Sequence, residues 1–113
     1  MTDFADSLPE LGADALLRAA PLAGIGRKCG DLVTGLSAVR RAKDLALVIV
    51  AADISRHTLS ELARLQQGGT QVFRTPSLAP FTGAFGRTDL QVIAVKRGNL
   101  ARGLMAKLGS PPG

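Results

Sequence analysis

The sequence predicts an α/β fold, a three-layer α-β-α sandwich built on a mixed four-stranded sheet. Three observations carry this. The run LALVIVAADIS, Leu45 to Ser55, is apolar without polar alternation until Asp53, so a strand there should be covered on both faces. Shorter runs rich in β-branched residues, at Leu32 and Val33, Thr70 to Thr75 and Gln91 to Lys96, alternate with stretches of helical periodicity. No predicted helix exceeds three or four turns, which suits 113 residues folding as one core without disulfides or metals.

In chain order, residues 1 to 10 read as a loose acidic lead, followed by a short helix over about Ala13 to Ala20. Pro21 can open a new helix at its first turn. That helix, Leu22 to Cys29, is expected to bury Leu22, Ile25 and Cys29 and to end on Gly30, with Arg27 and Lys28 favourably placed in its last turn. Leu32 and Val33 form a brief strand. From Thr34 a helix runs to about Lys43, with Leu36, Val39 and Ala42 inward and Arg40 and Arg41 outward. The central strand, Ala46 to Ala51, follows. Thr58 and Glu61 have the spacing of a capping box for the next helix, although Ser55 could start it a turn earlier. Leu59, Leu62, Ala63 and Leu65 give that helix an apolar stripe, and Gly68 and Gly69 end it. A strand at Thr70 to Thr75 closes on Pro76. A helix from about Ser77 to Phe85, a polar loop at 86–89, the strand Gln91 to Lys96 and a helix from Asn99 to Leu108 complete the domain. The chain thus divides into an acidic N-terminal extension (1–20), the α-β-α domain (21–109) and a disordered tail (110–113).

Charge is uneven. Residues 1–17 hold four acids and no base, while residues 18–113 hold fourteen bases against five acids, a net +9. A body of that sign points to polyanions. Ten of the cations are Arg, suited to bidentate phosphate and base-edge contacts, although the same residues also serve as a solvated surface. The single cysteine, Cys29, cannot form an internal bridge, and no apolar run approaches membrane-spanning length. With an acidic start unlike a signal peptide or presequence, a cytoplasmic location is expected.

Candidate chemistry is sparse. The string from Gly24 to Gly30 resembles a phosphate-binding glycine loop, but it follows helical residues rather than a strand and lacks the Lys-Ser/Thr ending of a P-loop. His57 is the only histidine and reads as a solvated first-turn residue; Cys29, four after Ile25, reads as core rather than nucleophile. Asp53 could serve as a base, yet turns use Asp far more often. With no Tyr or Trp and four Phe, an aromatic platform for base stacking is not expected. No metal, cofactor or catalytic site is expected.

Three strings, IGRKCGDLVTGLSAV (Ile25 to Val39), LVIVAADIS (Leu47 to Ser55) and FGRTDLQVIAV (Phe85 to Val95), occur in an order that resembles the kink-turn RNA-binding ribosomal family. This is the archaeal L-seven-Ae and eukaryotic L-thirty-e group, and the likeness is strongest to its small bacterial YlxQ-type members. The resemblance covers about the last ninety residues. It implies that the helix after the first strand presents its start to RNA, where the family carries Gly-x-Asn-Glu-x-x-Lys. The matching positions are Gly35, Leu36, Ser37, Ala38, Val39, Arg40 and Arg41. Gly35 keeps the close backbone approach and Arg41 the cation, while Ser37 replaces Asn and Ala38 replaces Glu. The resemblance further implies contacts from the loop Arg87, Thr88, Asp89 and Leu90, with the turn Ala52, Asp53 and Ile54 nearby. The expected contact is less selective than the family's and dominated by Arg40, Arg41 and Arg87. The function implied is non-catalytic binding of structured RNA, rRNA foremost, at the ribosome. The alternative is a protein-interaction or oligomerisation module on the same fold, with a second copy or another protein as partner.

Overall fold

A computed structural model describes residues 8–81 and 90–108. Its elements are α1 (Ala13–Cys29), β1 (Leu32–Thr34), α2 (Leu36–Arg41), β2 (Leu45–Ala51), α3 (Arg56–Ala63) with a 3-10 extension (Arg64–Gly68), β3 (Gln71–Thr75), β4 (Val92–Lys96) and α4 (Asn99–Lys107). The sheet order is β1-β4-β2-β3. β4 runs antiparallel to both β1 and β2, whereas β2 and β3 are parallel, so the sheet is mixed and four-stranded as expected.

Every residue of β2 is buried, the direct consequence of its unbroken apolar run. Beyond an irregularity between Leu45 and Leu47, its side chains alternate between two cores. Leu47, Ile49 and Ala51 join Leu16, Ala19, Ala23, Ala101 and Leu104 on the α1/α4 side. Val48 and Val50 join Val39, Leu59, Leu62 and Ala63 on the α2/α3 side. The α-β-α sandwich follows.

Four local expectations are corrected. Pro21 does not separate two helices; it lies inside the 17-residue α1, and the division of the chain at residue 20 falls in mid-helix. The ring is exposed, so the backbone break that proline imposes faces solvent instead of the core. Ile25 and Cys29 are exposed rather than buried, because α1 turns Ala15, Leu16, Ala19, Ala23 and Gly26 inward. Small residues win that face by letting the helix approach α4: a Cβ on Gly26 would run into Leu100, and one on Gly103 would lie 3.0 Å from Leu22. At α3, Ser55 and not Thr58 is the cap, its hydroxyl accepting from the Thr58 N–H at 3.2 Å. The helix after β1 begins at Leu36, since Thr34 belongs to the strand and Gly35, at φ 88°, makes the corner.

The described part of the N-terminal segment is woven into the domain. Leu8, Leu11 and Leu16 are buried, Pro9 C=O accepts from the Arg74 N–H at 2.9 Å, and the Leu11 N–H donates to Arg74 C=O at 2.8 Å. These bonds cover the free edge of β3. After β3, residues 79–81 are helical, and the remainder of the helix expected to Phe85 lies outside the described residues.

Candidate nucleic-acid interface

Strand directions bring the C-terminal ends of β1, β2 and β3 and the start of β4 to one end of the sheet. The register sets Thr34 opposite Ile93, Val50 opposite Val92 and Ala51 opposite Thr75. Backbone bonds then fix the turns. The Gly35 N–H donates to Val92 C=O at 3.0 Å, the Ala51 N–H to Gln91 C=O at 2.8 Å, the Ala52 N–H to Thr75 C=O at 2.7 Å, and the Ile54 N–H to Ala51 C=O at 3.2 Å. Two of the three stretches singled out from sequence, the start of α2 and the 52–54 turn, therefore share this end, together with Leu90. Arg87, Thr88 and Asp89 lie outside the described residues.

The corner at Gly35 explains how α2 is aimed. Its φ of 88° and ψ of 149° form a conformation that side chains with a Cβ rarely adopt, and the Val39 N–H closes the first helical turn on Gly35 C=O at 3.1 Å. No side chain caps that first turn. Around it, Leu36 and Ala38 are half-buried and Ser37 is exposed, so what the start of α2 presents is small and sparsely polar. In the adjoining turn Ala52 and Asp53 are exposed and Ile54 is half-buried. Leu90 differs: it is 7% exposed and packs in the core on the α1/α4 side. On the β3 side of the 52–54 turn lies an open cleft of about 310 Å³ lined by residues that include Asp53, Ser77, Leu90 and Gln91, with no residue of α2 among them. Ser77 is fixed there, its hydroxyl accepting from the Ala79 N–H at 3.0 Å while its carbonyl accepts from the buried Thr75 hydroxyl at 3.3 Å.

The two arginines of α2 are not equivalent. Arg40 is clamped by Glu61 of α3, Nε to Oε2 and Nη2 to Oε1, both at 2.8 Å. This fork-on-carboxylate geometry holds the Glu61 carboxyl below its ordinary range, chiefly through the hydrogen bond and then through the charges of Arg40, His57 and Arg64, and it raises the Arg40 guanidinium. Arg41 is exposed and has no side-chain hydrogen bond or ion pair among the described residues. Sequence reasoning missed Glu61 as a partner of Arg40. A separation of 21 residues leaves no local signal, and the spacing to Thr58 suggested a cap instead.

Apart from Arg56, which opens α3 just after the 52–54 turn, several cations stand elsewhere. Arg97 pairs with Asp44 at 2.9 Å at the far end of the sheet, and Arg18, Arg27, Lys28, Arg102 and Lys107 belong to the α1/α4 layer. Cys29 and His57 sit on α1 and α3, in layers on opposite faces of the sheet, so they do not form a nucleophile-base pair. Among the described residues, no three His, Cys, Asp or Glu side chains are grouped to hold a metal ion, and no helix is long and apolar enough to cross a membrane.

No protein-family model and no curated protein matches the sequence. Solved structures do share the fold. A Bacillus halodurans protein of unknown function superposes with a TM-score of 0.66 at 25% identity, covering 85% of this chain and 97% of its own. The Giardia lamblia 15.5kD RNA binding protein superposes with a TM-score of 0.64 at 19% identity, covering 96% of this chain and 95% of its own.

Proposed function

We propose that the chain is a non-catalytic, ribosome-associated protein that binds structured RNA at the sheet end formed by Gly35 to Ala38 and Ala52 to Ile54, with Arg41 and Arg87 as its phosphate contacts. The observation that carries this reading is the convergence of the α2 start and the 52–54 turn, pinned by the Gly35–Val92 and Ala51–Gln91 backbone bonds. It is supported by the fold shared, over nearly the whole chain, with an RNA binding protein and by the net +9 of residues 18–113.

In this reading a small-residue platform at Gly35, Ser37 and Ala38 lets a sugar-phosphate backbone approach closely, and Arg41 supplies the charge. Arg40 contributes little while Glu61 holds it. Asp53 repels phosphate and can only accept hydrogen bonds, so its partner is an amino or imino edge of a base. Leu90 supports the site from the core. With Ser37 and Ala38 at the family's Asn and Glu positions, shape and charge outweigh base reading, and rRNA is the expected partner.

The test is fluorescence anisotropy with a kink-turn RNA hairpin and a straight duplex of equal length across a salt series. Wild-type affinity should fall with a log-log slope of roughly 0.7 to 0.9 per phosphate contacted. The Arg41→Ala, Arg87→Ala double variant should flatten that slope by the worth of about two contacts. Unchanged affinity and slope would remove the site. A second reading, a protein-interaction module, is favoured by a different surface, the solvent side of α1.

A further inference from the structure

α1 carries two apolar faces. Ala15, Leu16, Ala19, Ala23 and Gly26 are buried in the domain. On the opposite side Leu17, Pro21 and Ile25 recur at the i, i+4, i+8 spacing of a second helical stripe and meet solvent, with half-buried Gly24 and Ala20 beside them, Ala20 also packing against the core. Leu17 is 58% and Ile25 56% exposed, and among the described residues they are the only large hydrophobic side chains so exposed. A lone surface leucine needs no account. Two such residues on one stripe, separated by the small Ala20 and Gly24, make a ridge with notches of the kind that receives another helix. Pro21 adds a polar feature, because without its N–H the carbonyl of Leu17 lacks the usual helical donor.

Charge selects the occupant. Arg18, Arg27 and Lys28 bracket the stripe, and Arg102 and Lys107 on neighbouring α4 are likewise exposed. The Arg18 Nε donates to Lys107 C=O at 3.2 Å, tying the two helices into one basic face. Against these five cations the two helices hold one acid, Asp14. A second copy would set like charge on like. A bilayer-bound helix uses a wide face of Trp, Phe and Leu, which two aliphatic side chains do not provide. A phosphate backbone gains nothing from the uncharged stretch between Arg18 and Arg27.

We infer that the outer face of α1 is a docking surface for an acidic amphipathic helix of a partner protein, its apolar side seated on Leu17, Pro21 and Ile25 and its carboxylates meeting Arg18, Arg27 and Lys28. The face belongs to the layer across the sheet from α2 and α3, so this docking stands independently of RNA binding.

A photo-crosslinking amino acid placed at position 25 of the full chain, in the cells that produce it, tests the assignment against a control at exposed Lys43. The expected result is a light-dependent adduct at position 25 alone, mapped by mass spectrometry to an acidic amphipathic segment of one protein. A synthetic peptide of that segment should bind the purified wild-type chain and lose about tenfold or more in affinity to Leu17→Asp and to Ile25→Asp, with unchanged melting curves. If either variant melts early, the charge-reversed Arg18→Glu, Lys28→Glu chain decides the matter, a tenfold loss supporting the surface and unchanged binding overturning it. Crosslinks to a second copy, to RNA, to lipid or to a basic segment overturn the assignment. So does an adduct yield no higher than at position 43.

Discussion

The α1/α4 layer and the α2/α3 layer cover opposite faces of one sheet, yet they are held by different means. α1 spans 17 residues and α4 nine, and they meet through reciprocal notches, Leu100 over Gly26 and Leu22 over Gly103. α2 has six residues and α3 eight, each anchored by a few aliphatic side chains, and the two are bridged at the surface by the Arg40–Glu61 fork. Small-residue packing leaves the first layer little room to move. The second layer carries the candidate interface and depends on a glycine corner and a solvent-exposed ion pair, which are easier to shift. The fold thus separates a scaffold from an adjustable face.

The largest way to break that contrast is Leu16→Ala. Leu16 is fully buried where α1 meets the sheet, so the truncation should cost about 2–5 kcal/mol in equilibrium urea unfolding. A cost well under 1 kcal/mol would mean that α1 is a dispensable cover and not the anchor. The notches give the next effect. Gly26→Val should destabilise by about 1–3 kcal/mol through overpacking against Leu100, even though replacing a helical glycine usually helps. Adding Leu100→Ala should recover part of that loss, because the two positions share one space. Strictly additive costs would remove the interlocking account.

The same contrast explains what could be read from the sequence. β2 was legible because an unbroken apolar run is covered on both faces, and from it the layered architecture follows. The phase of α1 was not. Ranking side chains by hydrophobicity selects Leu22, Ile25 and Cys29 as the inner face; Leu22 does pack against the core, but Ile25 and Cys29 face outward and the fold buries Ala15, Ala19, Ala23 and Gly26 around Leu16, since close approach rewards absence of bulk. Pro21 suggested a boundary, yet its exposed ring lets the helix run on, since the Leu17 carbonyl it leaves without a donor faces water and the strain falls on the solvent side. At the candidate interface, the 52–54 turn left a local signature in Asp53 and Ser55, whereas Gly35 was singled out through the family resemblance alone, local reading having started the helix at Thr34. The Arg40–Glu61 pairing joins two helices across 21 residues of sequence and left no such signature.

Glu61→Gln tests the adjustable layer and should have the smallest effect on stability. Both partners are substantially exposed, with side chains 49% and 38% accessible, so water and salt screen the attraction. The folded protein holds the Glu61 carboxyl below its ordinary value. Its contribution is therefore complete above the ordinary carboxylate range and is lost as pH falls through the lowered folded value. Wild type should melt slightly above Glu61→Gln at neutral pH, and the gap should close on acidification and in high salt. RNA binding should move the other way. On the proposed function, an Arg40 freed from its carboxylate adds to Arg41, so the variant should bind structured RNA more tightly and with a salt slope steeper by about one contact. A weaker binder with an unchanged slope would show that the fork orients α2 for RNA, and that the ion pair belongs to the working site instead of restraining it.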